Sequence, residues 1–395
     1  MTARPLPVVL FGAFDRHNFG DMLFAHVAAR LLTDRSVRFA GLAARDLRAQ
    51  GGHCVDTLRP WHESAVDLLH VGGEILACDA WEAAVMLQAP EDAQRLIALQ
   101  RHDRFGWAQR VLGTRERAPY VVSKHELPCA AHVLFNAVGG VALDVRDAAL
   151  RDEVLAKLAR ADDVSVRDLH TQTVLANSGI NARLAPDCAV LAAELFGDTI
   201  RAHANAAALA RLREAAPNGY LAVQLSADFG DDATLARVAT QLDRAADAHR
   251  LAVVLFRAGA APWHDDLACL ERMAARMRTR HVHVFDSLNI WDICALIAHS
   301  RGFIGSSLHG RIVAMAHALP RINVLHDEDF SRPCKQVAFA QTWEDAGTPV
   351  AMRVSEIADG IDVALWAAPE RLKQTATRLV TLCRAAFQTT LSRLR

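Results

Sequence analysis

Apolar residues along this chain fall into short unbroken runs that alternate with stretches where they recur every three or four positions. The run Pro7-Val8-Val9-Leu10-Phe11-Gly12 closes on a glycine loop, and residues 22–32 then repeat apolar positions at helical spacing. An unbroken run suits a strand buried on both faces, and the longer spacing suits a helix lying on it. The order strand, loop, helix recurs at 65–71 before Gly72-Gly73, at 131–138 before Gly139-Gly140, and at 163–166 before a helical run to Ala176. Such alternation predicts a parallel, doubly wound sheet.

A second series follows the Ala-rich helical stretch 201–216 and the turn Pro217-Asn218-Gly219. Strands are predicted at 220–225, 251–256, 282–285 and 302–305, separated by helices around 233–249, 265–278, 290–299 and 308–319. The tail 370–395 places Leu372, Leu379, Leu382, Cys383, Ala386, Phe387 and Leu394 on a helical stripe, which suits core packing better than a membrane surface. The fold class is therefore α/β, with a domain over 1–200, a second over 201–350 and a C-terminal helical segment over 351–395.

Composition narrows the function. With 395 residues the chain is long enough for two cores without disulfide staples. Its 44 basic and 45 acidic side chains leave no broad positive field, which argues against a nucleic-acid partner. All but four of the cations (Lys124, Lys157, Lys335, Lys373) are arginine, a compositional bias that also supplies planar anion binders. The eight cysteines are dispersed without a C-x-x-C pair or zinc spacing, so no metal is expected. The N-terminal stretch 1–14 has no signal-like or membrane-spanning run, and a cytoplasmic protein is expected.

Ligands of parallel sheets gather beyond the carboxyl ends of strands, where loops lead into helices. Asn18-Phe19-Gly20-Asp21 is one such loop: Gly20 lets the backbone approach a ligand, and Asp21 suits a helix cap. Gly305-Ser306-Ser307-Leu308-His309-Gly310-Arg311 is another, bringing two hydroxyls, an imidazole and a guanidinium to a helix start. Arg311 lies four residues beyond Ser307, hence on the same helical face. Ser165-Val166-Arg167-Asp168 offers a cation at a loop mouth and a cap. Gly72-Gly73-Glu74 either approaches a sugar or turns the chain, Asp187 after Pro186 suits turn chemistry, and Trp263-His264-Asp265-Asp266 reads as a cap.

Taken in order, Asn18-Phe-Gly-Asp21, Gly72-Gly73, Ser165-Val-Arg-Asp168 with Thr171 and Gly179-Ile180, Pro186-Asp187, and Ser307-Leu-His-Gly310 with Ala314 and Pro320 resemble the polysaccharide pyruvyl transferase family. The resemblance spans about residues 8–325. It implies two Rossmann-like domains facing a cleft, GT-B-like, with the C-terminal helix packing back on the first. The implied activity moves the enolpyruvyl unit of phosphoenolpyruvate to sugar hydroxyls and releases phosphate, with no cofactor and no obligatory metal.

Carried over residue by residue, the resemblance makes His309 the proton-transfer or donor-holding group, and Arg167 the binder of the donor's carboxylate or phosphate. Ser306, Ser307, Gly310 and Arg311 fall on the donor side. Asn18, Gly20 and Asp21 face the acceptor, with Asp21 near the chemistry, and Glu74, where the family usually has a third glycine, either narrows the site or adds an acceptor contact. Ser307 stands where the family usually has arginine, a loss for which Arg311 is the candidate replacement. The implied partners are phosphoenolpyruvate and a sugar or lipid-linked oligosaccharide acceptor, the latter bringing peripheral contact with the inner membrane face. Two other readings stay open on sequence: a glycosyltransferase of similar architecture using a nucleotide sugar, and a non-catalytic polysaccharide-assembly protein on the same fold.

Overall fold

A computed structural model describes residues 5–394; positions 1–4 of the N-terminal stretch and 395 of the tail lie outside the described residues. The strands are β1 (Val8–Phe11), β2 (Val37–Ala40), β3 (Arg45–Asp46), β4 (Cys54–Val55), β5 (Val66–Val71), β6 (Ala130–Val138) and β7 (Asp163–Val166). They continue with β8 (Arg183–Leu184), β9 (Tyr220–Gln224), β10 (Ala252–Phe256), β11 (Val282–Phe285), β12 (Gly302–Gly305), β13 (Arg321–Leu325) and β14 (Met352–Arg353). Two six-stranded sheets result, ordered β2-β1-β5-β6-β7-β8 and β11-β10-β9-β12-β13-β14, every neighbour pairing parallel. The strands β1, β5, β9 and β10 are buried along their whole length, as mostly apolar runs in a parallel sheet require, and Asp67 and His70 of β5 and Gln224 of β9 are buried with them.

The chain divides into two compact units: residues up to Cys188 together with those from Thr381 on, and Ala189–Val380. The sequence boundary at 200 falls inside the helix Ala192–Ala204, which counts with the second unit. There Phe196 packs on Trp291 at 4.9 Å between ring centroids, and His203 Nδ1 meets Asp292 at 2.6 Å. Residues 351–380 likewise count with the second unit.

In each sheet the strand order reverses once, between β1 and β5 and between β9 and β12. At such a point the two outgoing loops part to opposite faces and leave a crevice beyond the strand ends. The first crevice is edged by the loop from Gly12 to Asn18 and by Gly72-Gly73, whose φ of 64° and 79° lie in the left-handed region that glycine adopts without strain. The second is edged by Leu225-Ser226 and Ser306-Ser307.

The tail forms the helix Pro369–Ser392. Its stripe is buried at Leu372, Leu379, Cys383, Phe387 and Leu394, whereas Leu382, assigned to the same stripe, is 41% exposed, one position off the packed face. In the first unit Arg183 donates to Thr390 Oγ1 (3.0 Å) and Ala386 O (3.4 Å), and Arg35 donates to Leu394 O. Among the described residues no helix is long and apolar enough to cross a membrane. Phe387→Ala is expected to cost about 3–5 kcal/mol and Leu382→Ala no more than about 0.5 kcal/mol, both read from urea unfolding.

Candidate active site

The first crevice is built on the loop after β1. Asn18 caps the helix Phe19–Leu31, its Oδ1 accepting from Gly20 N (3.1 Å) and Asp21 N (3.4 Å). Asp21, read as the cap from sequence, instead occupies the first turn, with Oδ2 3.9 Å from Arg16. Sequence reasoning passed over the two charges just before it. Asp15 is buried: Oδ1 accepts from Tyr120 Oη (2.8 Å), and Oδ2 accepts from Leu42 N (2.6 Å) and Ala43 N (3.2 Å). Burial raises its pKa despite Arg16 and these donors. Arg16 Nη1 donates to Tyr120 Oη at 2.6 Å. A charged pair straight after an apolar run was the available signal for Asp15-Arg16; nothing local marks Tyr120.

At the end of β7 the structure brings Arg167, Glu74 and Asp187 together. Arg167 Nη1 lies 3.1 Å from Asp187 Oδ2, and Nη2 lies 2.7 Å from Glu74 Oε2. Burial works against the charge, but Glu74, Asp187 and Asp168 hold the proton on the guanidinium more firmly than usual. Arg167, read from sequence as a cation at a loop mouth, is thus the centre of a carboxylate cluster. Glu74 also accepts from Val141 N through Oε1. Asp168 caps the helix Leu169–Asn177, accepting from Thr171 N (2.7 Å) and Thr171 Oγ1 (3.0 Å), and burial raises its pKa.

In the second unit Gln224, the last residue of β9, organises the crevice. Its Oε1 accepts from Ser307 N (2.8 Å), and its Nε2 donates to Asp265 Oδ1 (2.7 Å). Ser306 Oγ accepts from Ser226 N (2.9 Å), and Ser306 O accepts from Gln336 Nε2 (2.7 Å). Ser307 caps the helix Leu308–Ala316, its Oγ accepting from Gly310 N at 3.1 Å, and buried His309 follows in the first turn. Asp266, not Asp265, caps the helix Leu267–Ala274, accepting from Ala268 N at 2.9 Å. Asp265 turns inward, accepts from Ala258 N and Gly259 N, and is pushed up to about 7 by burial.

One donor-side expectation is corrected. Arg311 is fully buried and points to Glu344: Nε lies 2.9 Å and Nη2 2.8 Å from Oε1, while Nη1 reaches Val350 O (3.0 Å) and Nη2 Pro349 O (2.8 Å). Arg321 takes the same carboxylate through Nε (2.8 Å) and Nη2 (2.6 Å). Every nitrogen of Arg311 is therefore engaged in the core, and it does not replace the arginine absent at 307. Gly310 serves packing: a Cβ there would stand 2.3 Å from the Phe303 ring.

Among the described residues no three His, Cys, Asp or Glu side chains are grouped to hold a metal ion. The polysaccharide pyruvyl transferase family model matches residues 18–328, a span that holds Asn18 and Arg167 at strand-end loops and His309 in the first helical turn after another. The chain belongs to the polysaccharide pyruvyl transferase family. No curated protein sequence matched it. Solved structures share the fold: HepE of Anabaena with UDP and glucose is 10% identical, TM-score 0.55, covering 98% of this chain and 100% of its own. The UDP-GlcNAc 2-epimerase of Neisseria meningitidis with UDP-GlcNAc is 11% identical, TM-score 0.52, covering 98% of both chains. That of Methanocaldococcus jannaschii with UDP-GlcNAc and UDP is 9% identical, TM-score 0.51, covering 95% of this chain and 98% of its own. These likenesses show two Rossmann-like α/β halves of the GT-B kind.

In this pyruvyl transferase family member, the burial of Arg311 and Asp265 makes two outcomes measurable. Arg311→Met leaves Glu344 with one partner and is expected to cost about 3 kcal/mol or more in urea unfolding, with ligand binding by the folded fraction unchanged. Asp265 ionises near 3.8 when unfolded and near 7 when folded, so the folded state holds the extra proton between those values. Its contribution to stability is greatest below the lower value and is lost as pH rises through the upper one. Urea unfolding at about pH 5 and about pH 8 should show the wild type losing ground to Asp265→Asn at the higher pH.

Proposed function

We propose that the protein transfers the pyruvyl unit of phosphoenolpyruvate to hydroxyls of a sugar in a cell-surface polysaccharide or its precursor. The observation that carries this reading is the family match over 18–328, a span that includes the Arg167 and Ser307 clusters and has His309 in a Ser-Leu-His-Gly helix start.

The chemistry needs an acid and base and a polarised acceptor. A sugar hydroxyl adds to C2 of phosphoenolpyruvate and gives up its proton, while C3 gains one and becomes a methyl group. The C2–O bond to phosphate then breaks, and a second hydroxyl closes a ketal on the same carbon. His309, held at the helix start by the Ser307 cap, moves the proton at C3. In the first unit Glu74, oriented by Arg167 and Val141 N, keeps lone pairs for an acceptor hydroxyl, and Asp21 serves as base. Ser306 and Ser307 line the donor side, and Asn18 and Gly20 shape the acceptor loop by capping its helix. The acceptor, free or lipid-linked, is met in the cytoplasm, in the latter case at the inner membrane face. The reaction as written needs no further cofactor.

The test is a ligand-induced melting shift followed by a phosphate-release assay. A ligand that binds only the folded form must stabilise it. Phosphoenolpyruvate should raise the melting temperature of the wild type, and His309→Ala should lower acceptor-dependent phosphate release by about 100-fold or more. A shift with UDP and none with phosphoenolpyruvate would instead favour the nucleotide-sugar reading, since HepE and the epimerases were solved with UDP or UDP-sugars. Silence from every ligand would favour the non-catalytic reading.

A further inference from the structure

The proposed donor is an anion, yet the two arginines that the sequence offered for it are otherwise employed. Arg311 is locked on Glu344, and both terminal nitrogens of Arg167 lie on carboxylates. Arg16 is arranged differently. Its side chain is 9% exposed, and it stands on the loop after β1, at the first sheet's point of strand reversal. Nη1 donates to Tyr120 Oη, which fixes the plane of the guanidinium. Nε is buried with no hydrogen-bond partner. The Asp21 oxygen nearest Nη2 is 3.9 Å away, too far for a hydrogen bond.

The Nε–Nη2 edge, which no acceptor fills with a hydrogen bond, is the one that binds two-oxygen anions side-on. This protein uses that edge elsewhere: Arg183 sets Nε and Nη2 on Asp163, and Arg321 sets the same pair on Glu344. Asp15 does not fill it, because its own oxygens are taken by Tyr120, Leu42 and Ala43. A buried N–H that no acceptor meets is costly, and a site that keeps one beside a ligand crevice is organised for an oxygen that arrives from outside.

We propose that the Nε–Nη2 edge of Arg16 is a bidentate oxyanion site that takes a carboxylate or phosphate group of a substrate. Only the identity of that substrate rests on the pyruvyl-transfer reading: the oxyanion is carried either by phosphoenolpyruvate or by an acidic acceptor sugar.

The experiment measures affinities of phosphoenolpyruvate, inorganic phosphate and glucuronate for the wild type, Arg16→Lys and Arg16→Gln by calorimetry, with circular dichroism confirming the fold. Lysine keeps the charge and loses the fork, so affinity for at least one probe should fall about tenfold or more in Arg16→Lys and further in Arg16→Gln. A loss confined to phosphoenolpyruvate or phosphate assigns the edge to the donor; a loss confined to glucuronate assigns it to an acidic acceptor. A crystal structure of the wild type with the bound probe supplies a reading independent of the variants, and two probe oxygens on Nε and Nη2 are expected. Unchanged affinities in both variants, no binding of any probe by the wild type, or water alone on that edge would overturn the site. Because these are binding measurements, a wild type that binds an oxyanion at Arg16 but transfers no pyruvyl group would sink the proposed reaction and leave the site standing.

Discussion

A guanidinium taken out of water is costly to bury unless oxygens meet it, and in a chain whose cations are nearly all arginine this constraint shapes both units. Arg167, Arg311 and Arg321 are among the largest fully buried side chains. Burial works against the Glu344 charge, but Arg311 and Arg321 hold its carboxyl below the ordinary range. Arg167 draws Glu74 and Asp187, from separate stretches of chain, onto one strand end. Each pairing pins a loop that neither propensity nor apolar packing would hold.

The strand-end loops share a second device. Asn18, Asp168 and Ser307 each cap the helix that follows a loop, so a side chain satisfies amides that would otherwise point at a ligand. Capping converts these helix starts from generic anion holders into rigid frames for a few side chains. Gln224 does the corresponding work from the strand side, joining the Ser306-Ser307 loop to buried Asp265 through one amide. What these helix starts hold in place is therefore a few side chains, not exposed backbone.

Most of the fold was legible because buried parallel strands are written largely as apolar runs, as at β1, β10 and all but the last residue of β9. The strand β13 was not, because Arg321 and Asn323 interrupt it, and their burial depends on Glu344 and on the carbonyls of Gly305 and Ser307. The short β8 and β14 are too brief for any period. At the candidate site, motif spacing placed Asn18, Arg167 and Ser307 at strand-end loops and His309 just beyond one, but spacing carries no side-chain direction. Arg311 shares a helical face with Ser307 and still turns to Glu344; Asp265 and Asp266 are neighbours of one residue type with opposite fates. Which of two adjacent carboxylates is buried is decided by partners far away in sequence.

The tail bears on how the chain reaches its folded state. Residues from Thr381 onward belong to the same compact unit as those up to Cys188, and Arg183 and Arg35 bond directly to them. During synthesis the whole of 189–380 leaves the ribosome before that unit receives its last helix. Strands β1 to β8 must therefore wait with the surface that later receives Cys383 and Phe387 still bare, a period in which exposed apolar area invites misassociation. The second unit, continuous in sequence, has all its parts earlier, so completion of the fold follows the reverse of chain order: the half begun first is finished last.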